Sequence, residues 1–363
     1  YTQDMPTGAN VQSGNVTITG TGTNHMVIDQ ATQKSIINWD SFSIHSGGRV
    51  DFNQPSAKSF SLNRVQGSMP SSIAGQLNSN GKVMLINPNG VAITPNGVVD
   101  TGSFTASTLN IKDNDFINDN FSFEGNGQSK GVKNGGKIRI GGGGHAALLG
   151  GYVSNTGTVT ARLGKIAMGS GERITLDFVG DGLMSVSVPS HQLGIIKDIK
   201  GRTLKSLINN AGVLKANGGM IKLSAATAKS LSRGAINLGS SSMVIARSLQ
   251  DKPGRVIVGN PSSGQVKIAG NINVSGKSSM IPSGKVLVQG RKVTHLGQIT
   301  ANGYSGGKVK ILSKENLKLD GKIFAKGKFK KGGSVQLLSE KNIISSKNAV
   351  VNASGQNKGG TVR

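Results

Sequence analysis

Along most of this chain, apolar and polar residues alternate in short runs, as in "NVTIT" (15–19), "KVMLI" (82–86) and "KVKIL" (308–312). Gly, Asn, Pro or Ser closes most of them. Period two sends successive side chains to opposite faces, so each run reads as a strand with one buried face. From about residue 155 the runs recur as a unit. Compare "NTGTVTARLGKIAMGSGERITLDF" (155–178), "NNAGVLKANGGMIKLSAA" (209–226), "LGQITANGYSGGKVKILSKENLKL" (296–319) and "LDGKIFAKGKFKKGGSVQLLSEKNI" (319–343). The common form is G-x-[IV]-x-A-x-G, a polar spacer, then GG-x-[IV]-x-[IL]. The last three double glycines fall at 306–307, 332–333 and 359–360, steps of 26 and 27 residues.

A strand repeat of this period, with no helical pattern between strands, predicts a solenoid whose strands pair with the coils above and below. The 54 glycines and the many β-branched residues weigh against helix. A sandwich or a propeller also uses short strands, but neither accounts for a repeat that stops in mid-unit, as "NAVVNASGQNKGGTVR" does at Arg363. The expected fold is all-β, a parallel β-helix. With coils about 4.8 Å apart, roughly a dozen would make a rod on the order of 60 Å long.

Three regions are expected. Residues 1–110 hold the single tryptophan, Trp39, and carry no net charge. They suit a cap over the open end of the solenoid, where an unpaired backbone edge would invite aggregation. Residues 111–150 are Asn/Asp-rich and then Gly-rich ("GGGGHAALLGG", 141–151), and read as an irregular excursion out of the coils. Residues 151–363 are the basic repeats. Within the first region, "INPNGVAITPNGV" (86–98) places Asn87-Pro88-Asn89-Gly90 and then Pro95-Asn96-Gly97 between apolar runs. Asn can bond the backbone two residues on, Pro presets φ, and Gly ends the turn without steric cost, so both peptides predict turns between strands.

Composition narrows the interior. Only 35% of the 363 residues are apolar and 4% aromatic, which suits a thin aliphatic core. No stretch is apolar enough to predict a membrane-spanning helix. There is no cysteine, which fits passage through an oxidising periplasm without cross-linking. Tyr1 opens directly in polar sequence, as a mature or trimmed chain would. The net charge of +25 is lopsided: residues 1–110 hold five basic and five acidic residues, and the rest hold 37 and 12. Such an excess attracts polyanions such as glycans, lipopolysaccharide or anionic lipid; it also describes a plain solvated lysine surface. No basic stripe interleaved with aromatics is present, so no nucleic-acid partner is expected.

Catalytic and metal chemistry find no constellation. His25, His45, His145, His191 and His295 are scattered, without the i, i+4 spacing of metal ligands. Asp113, Asp115 and Asp119 lack the Gly and the terminal Glu of a calcium loop. The run Gly141–Gly144 is followed by no GK[ST], and no G-x-S-x-G elbow occurs. No catalytic residue, cofactor or metal ligand is assigned, and no enzymatic activity is expected.

The block 37–111 carries a longer pattern. It runs Ile37-Asn38-Trp39 with Phe42, Phe52-x-Gln54-Pro55, Leu62-Asn63-Arg64-Val65, Ser72-Ile73-x-Gly75, Asn87-Pro88-Asn89-Gly90-Val91, Gly102 and "ASTLNI" (106–111). In that order these residues resemble the N-terminal secretion domain of two-partner-secretion exoproteins, the filamentous-haemagglutinin-like family. The match is nearest the branch of high-molecular-weight adhesins and haem–haemopexin-binding exoproteins. That branch has Asn-Arg-Val where the haemagglutinin branch has Asn-Pro-Asn-Leu. "GGYVSNTGTV" (150–159) and "ERITLDFVGDGLMSVSV" (172–188) resemble the same family's downstream coils.

The resemblance implies a right-handed parallel β-helix with an N-terminal cap and small extra-helical antiparallel strands. It implies export to the periplasm, recognition by the periplasmic POTRA domains of an outer-membrane β-barrel transporter, and release at the bacterial surface or into the medium. A host-surface receptor, glycan or protein ligand and a monomeric chain are also expected. Asn63, Arg64, Val65, Asn87, Pro88, Asn89 and Gly90 are the candidate site: either they are read by the transporter, or they hold the cap's fold. An adhesin is the leading functional reading. A ligand-capture protein using projecting loops, for which 111–150 and 189–208 are the candidates, and a β-helical carbohydrate-active enzyme stand behind it.

Overall fold

The computed structural model describes residues 4–180, 182–187, 206–226, 235–261 and 263–363. They fall into two compact units, the described parts of 1–160 with 167–203, and of 161–166 with 204–363. The expected projecting loop at 189–208 lies almost wholly outside the described residues, as does His191.

The first unit is a parallel β-helix built from three columns of strands. One column stacks Lys34–Trp39, Phe60–Val65, Lys82–Ile86, Ser103–Ser107 and His145–Gly150, each parallel to the next. A second stacks His25–Gln30, Arg49–Asn53, Gln76–Ser79, Val98–Thr101 and Lys137–Ile140. The third stacks Ser71–Ile73, Val91–Ile93, Gly131–Asn134 and Tyr152–Asn155. The alternation seen in the sequence places one aliphatic side chain per coil at the same interior level. Met26, Val50, Leu77, Val99 and Ile138 are in register through five coils, each 1% exposed or less.

Two antiparallel pairings close the starting edge. Asn10–Ser13 lies against Lys34–Trp39, and Val16–Thr19 folds back on His25–Gln30. A parallel coil would leave that edge unpaired, and pairing it removes the aggregation hazard of an open strand.

Part of the segment 111–150 leaves the coils. Asn110–Ile111 pairs antiparallel with Ser122–Glu124, which pairs with Arg173–Asp177 and that in turn with Leu183–Ser187, making a small extra-helical sheet. The one-turn helix Asp113–Ile117 bridges its first two strands. From Gly131 the chain is back in parallel register with Val91–Ile93. The glycines at 141–144 make a turn, with the Gly144 N–H donating to the Gly141 carbonyl at 3.0 Å, and they lead into His145–Gly150.

The second unit repeats the three-column plan with a leaner interior. Leu214, Val244, Ile272, Ile299 and Ile323 form one fully buried ladder. Two long strands, Lys285–His295 and Lys308–Leu319, each serve two columns, with a register shift between Gly290 and Lys292 at the bend.

His295 sits in this interior with no exposed surface. Its Nε2 donates to the Lys322 carbonyl at 3.2 Å, while Nδ1 has no partner. Burial pushes the imidazole below its ordinary value of 6.5, and the bond to Lys322 opposes that only in part. The unfolded chain therefore takes up the proton more readily than the folded one. Stability from this site is full above about pH 6.5 and is lost as the pH falls below it. Thermal melts between pH 8 and 5 should show a steeper decline for the native chain than for His295→Leu; parallel declines would remove His295 as the cause.

Candidate functional site

The strand Phe60–Val65 carries three of the candidate residues, and alternation splits them between two faces. Asn63 points inward and is fully buried. Its Oδ1 accepts from Trp39 Nε1 at 3.0 Å, and its Nδ2 donates to Ser61 Oγ at 3.1 Å. Trp39 packs edge-on against Phe42 with ring centroids 5.2 Å apart. Asn63 thus supplies the acceptor that a buried indole N–H requires. Val65 is buried beside it, in register with Trp39.

Arg64 points outward yet is largely covered, with 14% of its side chain exposed. Its guanidinium donates to Asp113 Oδ1 at 2.8 Å, the Ile111 carbonyl at 2.7 Å and Asn110 Oδ1 at 2.9 Å. It clamps the start of the extra-helical segment to the wall of the coil. Lys34 does the same for the end of the short helix, donating to the Phe116 and Ile117 carbonyls and to Asp119. Arg64→Ala should lower stability by about 1–3 kcal/mol, since charge-assisted bonds to partly buried acceptors are lost. Hydrogen exchange at 110–118 should rise more than in the coils; uniform protection would refute the clamp.

The four residues 87–90 form a turn at the next corner. The Gly90 N–H donates to the Asn87 carbonyl at 3.0 Å, and Gly90 adopts φ +124°, which a side chain would strain. Asn87 is fully buried. Its Oδ1 accepts from the Asn89 N–H at 3.0 Å, and its Nδ2 donates to the Met69 carbonyl and Ser71 Oγ at 2.9 and 3.0 Å. Asn89 Nδ2 donates to the Gly67 carbonyl at 2.8 Å. Both amides therefore tie the turn to the neighbouring loop Gln66–Pro70. Pro88 is exposed, and so is Met69 at 63%. Gly97 closes the second predicted turn on the Thr94 carbonyl at 2.9 Å, so the two Pro-Asn-Gly peptides are successive corners of one coil.

Sequence reasoning missed Met69 and Glu172. Met69 carries no pattern signal, since it lies in a loop. Glu172 is buried and its carboxylate accepts from the Gly127 N–H, the Ser129 N–H and Ser129 Oγ at 3.0, 3.0 and 2.7 Å. It pins the loop 125–129 beside the extra-helical sheet. Under that sheet lies an aromatic cluster: Phe60 meets Phe116 and Phe121 at 5.2 and 5.7 Å, and His145 stacks on Phe178 at 3.7 Å. The three aspartates of the 113–119 segment have partners within the chain: Asp113 pairs with Arg64, Asp119 with Lys34, and Asp115 accepts from Asn120. Among the described residues no cluster of three or more His, Cys, Asp or Glu side chains is placed to hold a metal ion. Among them, no helix is long and apolar enough to cross a membrane.

A capped parallel β-helix, an extra-helical antiparallel sheet and an Asn-locked corner together invite comparison with known proteins. The family model for the TPS secretion domain matches residues 2–252. The chain belongs to this family. Two-partner-secretion exoproteins pass through the outer membrane to the surface or medium of Gram-negative bacteria, and the TPS domain implies an outer-membrane transporter as partner. The HMW1 secretion domain from Haemophilus influenzae is similar over 99% of this chain and 100% of its own, with a TM-score of 0.79 and 26% identity. Its fold is the right-handed parallel β-helix expected here. A heme/hemopexin-binding protein of the same species is 33% identical over 226 residues, 59% of this chain and 23% of that protein. A second protein of that name and species is 39% identical over 111 residues, 31% of this chain and 12% of its own length. The matched stretches thus span less than a quarter of the length of either heme/hemopexin-binding protein.

Proposed function

We propose that the transporter reads the exposed ridge formed by residues 66–70 and 88–90, while Asn87 holds that ridge in shape, Asn63 and Val65 pack the coil behind it and Arg64 clamps the neighbouring segment 110–113. One observation carries this reading: the amides of Asn87 and Asn89 are spent on the loop 66–70, which leaves Pro88 and Met69 facing solvent. Met69, Pro70 and Pro88 are all exposed where Asn87 binds the Met69 carbonyl, and an apolar patch rimmed by polar residues is a natural contact for a partner surface. The chain acts as a monomer and performs no catalysis, and the exoprotein serves adhesion.

A binding assay against the periplasmic domain of the cognate transporter tests this. Met69→Glu and Pro88→Glu should keep the native melting temperature and lose binding by tenfold or more. Native binding by both variants, with loss confined to destabilised ones such as Asn87→Ala, would reduce the whole motif to a fold element.

A second reading, capture of a haem carrier, is favoured by the 33% identity to a heme/hemopexin-binding protein. Titration of the chain with haem-loaded hemopexin would support it if a complex formed at micromolar concentration.

A further inference from the structure

We propose that a groove along one corner of the second unit binds a linear anionic polysaccharide. The groove encloses about 650 Å³ and is lined from several successive coils. Its floor is a stack of glycines: Gly303 bridges to Gly327 and Gly327 to Gly355, with Ser248 bridged to Gly276 on the coils before. A Cβ at Gly276, Gly327 or Gly355 would come within 2.0–2.1 Å of neighbouring backbone atoms. The floor is therefore bare main chain, and the depression is part of the fold.

Cations rim it. Arg247, Lys277, Lys326 and Lys328 line the groove, and no acidic residue does. Arg247 is anchored by Nη2 on the Gly276 and Lys277 carbonyls at 2.9 and 3.1 Å, and its buried Nε has no acceptor. The carboxylates that residues 204–363 contain are few: four, against 26 basic residues. Glu315 is engaged by Arg291 and Lys292, Asp320 by Ser346 and Asn348, and Asp251 by Lys252, and Glu340 lines a different depression together with Lys314. Like charges gathered without counter-charge cost stability and raise the local concentration of anions.

The remaining lining selects the class of anion. Ser278, Asn302, Ser354 and Gln356 offer hydroxyl and amide groups between the cations, as a polyhydroxylated ligand needs. Coils repeat about every 4.8 Å, and along the groove the coils bearing Arg247, Lys277 and Lys326 with Lys328 are joined by coils bearing Asn302 and then Ser354 with Gln356, so charged and polar partners lie in one row. A single-stranded nucleic acid would want a succession of aromatic faces along the lining, and the residues that line this groove include none. A membrane would want a flat cationic face, and the floor here is recessed.

The test uses the full chain and does not involve the transporter, so its outcome is separate from the secretion reading. Affinity would be measured for dextran sulfate and polygalacturonate, with neutral dextran, oligo(dT) and phosphatidylglycerol vesicles alongside. The triple variant Lys277→Gln, Lys326→Gln, Lys328→Gln should lose tenfold or more for the charged polysaccharides, as expected for three modest charge contacts. An equally neutralised control, Lys308→Gln, Lys310→Gln, Lys318→Gln, should stay within about twofold. Native melting temperatures in both triples make the comparison valid. Equal losses in both triples, stronger binding of oligo(dT) or vesicles, or no binding of either charged polysaccharide would overturn the proposal.

Discussion

Glu172→Ala is expected to destabilise the first unit by about 3–5 kcal/mol, because a buried carboxylate and three hydrogen bonds disappear together. The loss falls on groups that cannot turn to water. The Ser129 N–H and Oγ lie in a residue only 5% exposed, and they lose their acceptor while staying enclosed. Gly125 packs against the carboxylate as well, with its N–H bonded to the Glu172 carbonyl at 2.8 Å. The melting temperature should fall by on the order of 10 °C for a unit of this size. Hydrogen exchange should localise the damage to 125–129 and to the strand Arg173–Asp177 before the coils respond. Glu172→Gln separates charge from shape: it restores an acceptor but turns an NH₂ toward donors, so it should recover only part of the loss. A melting temperature within 2 °C of native for the alanine variant would show that the loop 125–129 is held by something else.

Asn87→Ala should cost about 2–4 kcal/mol, since one buried amide serves both the turn and the adjacent loop. Two donors and the acceptor for the Asn89 N–H vanish, and the corner can no longer bind the loop 66–70 from within. Asn89→Ala removes the bond to Gly67 and should cost about 1 kcal/mol. The pair therefore predicts a graded series in which transporter binding tracks stability. Met69→Glu and Pro88→Glu should leave that line, losing binding without losing stability. Chemical denaturation of the four variants, plotted against binding, distinguishes a motif that shapes a surface from one that is itself touched. All four points on one line would reduce the motif to its structural part.

Much of the fold could be read in advance because a solenoid is a local code repeated. Alternation over "KVMLI" sets which face of that strand is buried, and the double glycines at 26–27 residue steps announce the period at which coils recur. Asn-Pro-Asn-Gly and Thr-Pro-Asn-Gly carry their turns in their own chemistry, and both corners form. The resemblance across 37–111 likewise depended on residues close in sequence.

What could not be read were the pairings between side chains that share no period. Nothing local says that Arg64 will grip Asp113 across 49 positions, or that Glu172 will return to Ser129 across 43. Nor does the pattern say that the excursion begun near residue 110 rejoins the coils by Gly131, since glycine-rich polar sequence looks the same inside a turn and outside the helix. Charge behaves in the same way. The sequence alone counts an excess of lysines in the repeats. Stacking of the coils decides that Lys277, Lys326 and Lys328 gather along one recessed corner. The physical reason is common to these cases. Strand and turn preferences act over two to four neighbouring residues, whereas the side chains that meet between coils depend on register, which the whole stack determines at once.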